Sequence, residues 1–207
     1  IGSRNATTLT LPMLLQILQH PSWAIAALGL RGKLRFKNME PYAPKNSSEP
    51  ISHFIGSELN GSLNWEYLSE IRKYWKGTLL LKGVLRASDA LRAVDTGVDG
   101  IVVSNHGGRQ FDGNPASITA LPSIRQAVGT TFPIIFDSGI RSGLDILRAL
   151  AIGADFVLVG RPFLYGVAAI GRNGGDHVVQ ILEEEISNAL LQIGAKNITE
   201  LRQRLNF

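Results

Sequence analysis

The residues able to do chemistry gather in four short polar clusters, each directly behind an apolar run. VVSNHGGRQFD (residues 102–112) sets a histidine and an arginine three positions apart, in a loop that carries two glycines. Histidine titrates near neutrality and can act as a general base. Arginine can hold a carboxylate through two parallel hydrogen bonds. Together His106 and Arg109 suit removal of a proton from a hydroxy acid anchored by its carboxylate; the plain alternative is a turn with polar decoration. The other clusters are Lys82 behind TLLL, DSGIRSG (residues 137–143) behind PIIF, and Gly160 with Arg161 behind FVLV. Small residues let a backbone approach a ligand closely, and free N–H groups at a helix start cradle anions. Arg141 and Arg161 each follow a glycine-containing turn, and their matching placement reads as a phosphate-binding pair. Taken singly, each would be a surface ion-pair arginine. Lys82 would stabilise negative charge on a cofactor, or snorkel from its strand end.

These clusters need elements to bring them together. From Leu63 onward the pattern is regular. LNWEYLSEIRKYW reads as an amphipathic helix, TLLLKGVL as a strand, and SDALRAVDTG as a helix capped by Ser88 and closed by Gly97. GIVVS, PIIFDSG and DFVLVG read as strands, with SITALPSIRQAV and SGLDILRALAIG as the helices between them and helix onward to the end. Short apolar strands alternating with helices predict parallel pairing, with each strand covered on both faces. All four polar clusters then fall at the carboxyl ends of strands, the edge where barrels and open α/β sheets place their sites. LRAVDTGVDGIVVSN (residues 91–105) is also echoed by LRALAIGADFVLVGR (residues 147–161). A repeated helix–strand unit is what a (β/α)8 barrel is made of, and a doubly wound sheet is the rival. Four strands are legible where a barrel needs eight.

The composition fits one globular domain over residues 1–207, with 44% hydrophobic and 18% charged residues. Residues 1–62 read as helix (LPMLLQILQHPSWAIAALG, residues 11–29) followed by a long loop excursion, and residues 63–207 as regular β/α units. The net charge of +4 is spread along the chain without a like-charge block, which argues against a nucleic-acid partner. Absence of cysteine removes disulfides, thiolate catalysis and zinc–cysteine sites, and no metal site is expected. No apolar run approaches the roughly 18 residues that span a bilayer. His20, His53 and His177 read as surface or helix residues, Trp23, Trp65 and Trp75 as packing, and Glu183–Glu185 as a solvated helix face. The chain opens at Ile1 rather than Met, so its natural start is expected upstream.

SNHGGRQFD, then DSGIRSG, then VGRPFLYG, in this order, resemble the FMN-dependent α-hydroxy acid oxidase and dehydrogenase family. That family includes glycolate oxidase, mandelate dehydrogenase and flavin-linked L-lactate dehydrogenase. The resemblance runs from about Leu63 to the C-terminus and more loosely back to Ile1. It implies a (β/α)8 TIM barrel of which this chain carries the C-terminal half, strands five to eight, plus C-terminal helices. It implies FMN as cofactor and a small L-2-hydroxy acid as substrate, oxidised to the 2-oxo acid. By the same resemblance His106 is the base and Arg109 binds the substrate carboxylate. Arg4 matches a further substrate-binding arginine, although the NATT after it departs from the family pattern. Lys82 and Ser104 would contact the flavin. Asp137, Ser138, Gly139, Ile140 and Arg141 would hold the ribityl-phosphate arm, with Gly160 and Arg161 completing the phosphate site. The family's N-terminal tyrosines, and an aspartate that orients the histidine, belong to the other half of the barrel. The chain is therefore expected to be a fragment or to need a partner half.

A homo-oligomer, a tetramer, is implied as well, in a cytoplasmic setting. In some bacterial members the stretch matching residues 13–59 attaches the enzyme to the inner face of the cell membrane. A buried barrel helix is the reading expected here for LPMLLQILQ. Two proton routes stay open: His106 takes the hydroxyl proton while the α-hydrogen leaves as hydride, or His106 takes the α-hydrogen itself. The rival readings are another flavin- or phosphate-binding barrel enzyme, and a non-catalytic assembly module.

Overall fold

The computed structural model describes residues 10–22, 24–25, 38–42, 54 and 63–204. The chain divides into two compact units, Ile1–Leu63 and Asn64–Phe207. In the first, α1 (Leu11–Gln19) starts after an extended Thr10, with proline in its first turn where the missing N–H costs nothing. Leu11, Leu14, Leu15 and Leu18 recur at helical spacing and all stand exposed, Leu18 at 76%. The stripe is amphipathic, and its leucines stand exposed among the described residues.

The second unit alternates helix and strand up to β4 and closes with consecutive helices. In order it comprises α2 (Trp65–Tyr74), β1 (Leu80–Val84), α3 (Ala87–Thr96), β2 (Gly100–Val103), α4 (Ser117–Val128), β3 (Ile134–Asp137), α5 (Gly143–Ala151), β4 (Phe156–Leu158), α6 (Arg161–Ile170), α7 (Gly174–Ile193) and α8 (Ile198–Arg204). The strands form one parallel sheet in the order β1-β2-β3-β4. Sequential order without reversal is barrel topology, whereas a doubly wound sheet reverses its order at a switch point. The unit is a partial (β/α)8 barrel.

Local chemistry sets the boundaries. The Asn64 side chain caps α2 by accepting from Tyr67 N at 2.8 Å. Helix α3 begins after the extended Arg86, so Ser88 lies inside its first turn and is not the cap. Gly97 closes α3 in the left-handed conformation, φ 83°. A reciprocal capping box of Ser142 and Asp145 opens α5. Glu185 of α7 accepts from Gly143 N at 2.6 Å, so one member of the acidic run helps seat α5 rather than only facing water.

The echo between the two helix–strand units has a structural cause. Asp99, just before β2, accepts from Leu79 N and from Arg72. Asp155, just before β4, accepts from Ile134 N and from Arg125. Each aspartate thus ties the start of its strand to the preceding strand and to an arginine on an earlier helix. These clasps sit at the amino-terminal ends of the strands and leave the carboxyl ends for other work.

Among the described residues the helices pack on one face of the sheet. Ile101, Val103, Ile134 and Phe136 point to the helical side and are almost wholly buried. On the other face Leu80 and Leu158 are partly open, and Phe156 is 64% exposed. The physical reason is curvature: a barrel keeps its helices outside, and its inner face is covered by strands across the lumen. Buried apolar strand runs look alike in sequence whichever of the two layers covers them.

Candidate active site at the carboxyl ends of the strands

Strand β1 carries Lys82 into the site through an irregularity. Its register with β2 shifts between Lys82 and Val84, and Gly83 takes φ 97°, a bulge conformation favoured by glycine. Lys82 Nζ donates to Ser104 Oγ at 2.9 Å and pairs with the Asp137 carboxylate at the end of β3. The fully buried Ser104 donates in turn to Asp137 Oδ2. Burial alone would raise the Asp137 carboxyl, but the Lys82 ammonium and the Ser104 hydroxyl outweigh it and hold the carboxyl below its ordinary value. The ion pair joins the first and third strands across the second, so three of the four clusters meet at one point.

Behind β2 the chain makes a tight turn, His106–Gly108. His106 has φ 56°, rare for a residue with a side chain. Four contacts hold the turn. His106 N donates to Ser104 Oγ at 3.0 Å and Gly107 N donates to Ser138 Oγ at 3.0 Å. Arg161 Nη2, from the start of α6, donates to Gly107 O at 2.7 Å. The imidazole lies against Gly83: a Cβ there would stand 3.1 Å from His106 Nε2. Gly83 is a site residue that sequence reasoning missed, and the available signal was an isolated glycine inside a strand pattern.

The arginines divide. Arg109 follows the turn, is exposed, and its guanidinium has no partner among the described residues, which leaves it able to take an anion. Arg161 reaches across β3 to the turn. Arg141 is exposed and donates to the neighbouring Ile140 carbonyl. A cavity of about 410 Å³ opens between the loops behind β2 and β3, lined by Asn105, Ser138, Gly139, Arg148 and Arg161 among others. Arg148, one turn into α5, lines it where Arg141 does not, and sequence spacing gave no signal for that. Arg4 lies outside the described residues, as do His53 and Trp23.

The cavity's chemistry fits a phosphorylated ligand that bears hydroxyl groups. Two guanidinium groups line it. Asn105 Oδ1, buried and without a partner among the described residues, is an acceptor that a hydroxyl would satisfy. Open space stands where a Cβ would lie on Gly108, Gly139 and Gly160, so a ligand can approach the backbone there. Among the described residues no group of three or more His, Asp or Glu side chains could hold a metal ion.

Comparison with known proteins gives a consistent picture. The sequence model of the FMN-dependent dehydrogenase family matches residues 2–206. L-lactate dehydrogenase of Pseudomonas putida (strain GB-1) is 44% identical over 190 residues, which cover 90% of this chain and 49% of that protein. L-lactate dehydrogenase of Vibrio cholerae serotype O1 (strain M66-2) is also 44% identical, over 90% of this chain and 50% of its own length. The chain spans about half the length of the curated relatives it matches. Among solved structures, the monotopic membrane protein (S)-mandelate dehydrogenase superposes with a TM-score of 0.85 at 36% identity, over 94% of this chain and 51% of the other. Mandelate oxidase with benzoyl-formic acid superposes with a TM-score of 0.65 at 42% identity, over 69% of this chain and 43% of the other.

Proposed function

The chain belongs to the FMN-dependent dehydrogenase family, and from that premise we propose that it supplies the His/Arg half of a site that oxidises a small L-2-hydroxy acid to the 2-oxo acid. The observation that carries this reading is the His106 turn, pinned by Ser104, Ser138 and Arg161 at the ends of three strands and followed at once by the unpaired Arg109. Bound FMN would supply the two-electron acceptor for the substrate's α-carbon.

The chain's own residues do the rest. Arg109 takes the substrate carboxylate and fixes its orientation. His106 accepts the hydroxyl proton as the α-carbon is oxidised. Lys82, held by Ser104 and Asp137, would offer its ammonium to the negative charge that bound FMN gains on reduction. Residues 137–141 and Gly160 offer backbone to the ribityl-phosphate arm, and Arg141, Arg148 and Arg161 offer cations to the phosphate. Lactate and mandelate, named in the relatives, are the substrates to try first. A homo-oligomeric assembly is part of the same reading.

The cofactor assignment is tested by titrating flavin fluorescence. FMN is expected to bind at least about tenfold more tightly than riboflavin, since one charge-assisted hydrogen bond is worth roughly 1.5–3 kcal/mol. Equal affinity for the two would contradict a phosphate site behind β3 and β4.

A second reading concerns α1. None of the described helices is long and apolar enough to cross a membrane. The exposed leucine stripe of α1 would instead let it lie at a bilayer surface, and one structural neighbour is a monotopic membrane protein. Burying a leucine is worth roughly 1.5–3 kcal/mol. Leu15→Ser with Leu18→Ser should therefore lower partitioning onto lipid vesicles by at least about a hundredfold. Unchanged co-sedimentation of the double variant would remove α1 from any membrane role.

A further inference from the structure

Ser138 is out of place on backbone grounds. Its φ is 87°, a conformation that costs a side-chain-bearing residue free energy and costs glycine nothing, and the glycine beside it, Gly139, has φ 87° as well. A glycine at 138 would fold with less strain. What the serine adds is a hydroxyl. That hydroxyl accepts the Gly107 N–H at 3.0 Å and lies 3.3 Å from Ser104 Oγ, which itself accepts the His106 N–H. The two consecutive amides of the His106 turn are thus held by two serines from different strands, and the Gly107 carbonyl is held by Arg161.

We propose that Ser138 is a positioning residue whose side chain fixes the His106–Gly107 turn, and through it the direction of the imidazole. The assignment rests on the reading of His106 as the base. It goes beyond a place for Ser138 along the cofactor arm, because the hydroxyl is turned towards the histidine turn. Two features make the link tight. His106 sits at φ 56°, so the turn has no low-energy reason to keep this shape unaided. Gly83 leaves the ring only a narrow seat, with a Cβ position 3.1 Å from Nε2. A turn released at Gly107 would let the ring leave that seat, and misplacing a catalytic group by about 1 Å costs on the order of a hundredfold in rate.

Three variants separate positioning from plain stability. Ser138→Gly removes the hydroxyl and the strain, Ser138→Ala removes the hydroxyl and keeps the strain, and Ser138→Thr keeps the hydroxyl while adding the further strain of a β-branched residue at positive φ. Thermal unfolding should rank Gly above the parent serine and Ala below it. Hydrogen exchange at the Gly107 amide should speed up about five- to tenfold in Gly and Ala and stay protected in Thr. In the FMN-loaded enzyme, kcat should fall about 10- to 100-fold in both Gly and Ala, with KM for the hydroxy acid little changed because Arg109 is untouched, and Thr should restore most of it. Turnover that follows the unfolding temperature instead of the hydroxyl would overturn the proposal. So would an unchanged Gly107 exchange rate, or faster exchange with turnover intact. The exchange arm needs no turnover, so a failure of the clamp is distinguishable from a failure of the enzymatic reading.

Discussion

Replacing His106 with glutamine should lower the rate of flavin reduction by a 2-hydroxy acid by about 10²–10⁴-fold while FMN stays bound. The size follows from the role: a positioned general base is worth about that much, and glutamine cannot accept a proton at neutral pH. The substitution is clean because the contacts that shape the turn are made by backbone. His106 N bonds to Ser104, and the Gly107 amide and carbonyl bond to Ser138 and Arg161. Glutamine can keep all three, and its side chain, near the imidazole in length, meets the same Gly83 floor. Cofactor binding should be unaffected, since Lys82, the loop behind β3 and the arginines, the residues proposed to hold FMN, are untouched. Rapid mixing of reduced substrate with the FMN-loaded variant reads the rate directly, and the flavin spectrum before mixing reports occupancy. Reduction at the parent rate would remove His106 from the chemistry.

Arg109→Lys should have the second largest effect and should divide differently between binding and turnover. The charge is kept, but a lysine ammonium is a compact point charge and cannot form two parallel hydrogen bonds to a carboxylate. KM for the hydroxy acid is expected to rise about 10- to 100-fold, from losing one charge-assisted bond. The rate constant should fall as well, because the proposed carboxylate anchor no longer fixes the substrate's orientation. Among the described residues the Arg109 guanidinium supports nothing else, so folding and FMN affinity should not change. A substrate titration together with thermal unfolding checks all three quantities. An unchanged KM would place the carboxylate anchor elsewhere.

Much of the fold was legible because its signals are local. SITALPSIRQAV is helix α4 residue for residue, and Gly97 stops α3 as a helix-terminating glycine should. The four apolar runs are the four strands, and the polar clusters share the edge that parallel pairing predicts. What escaped the sequence depends on residues far apart in the chain. Lys82 and Asp137 are 55 positions apart, and nothing in either motif announces their ion pair. Gly83 lies inside an ordinary strand pattern, and only the fold brings the histidine ring against it. Arg148 lines the cavity because α5 turns it there, whereas Arg141, the motif residue, bonds to its own neighbour. Ser88 is a favourable cap residue by type, yet the chain enters the helix two residues earlier. For α1 the leucine stripe says that one face is apolar and not what will meet it.

The most direct test of the central claim is anaerobic mixing of the FMN-loaded protein with L-lactate or (S)-mandelate while the flavin's visible absorption is followed. The band is expected to bleach in one turnover with one equivalent of the 2-oxo acid formed, and His106→Gln is expected to slow that bleaching about 10²–10⁴-fold with FMN still bound. An oxidised spectrum that persists with every 2-hydroxy acid tried, in a protein that holds stoichiometric FMN and its full complement of barrel strands, would contradict the claim.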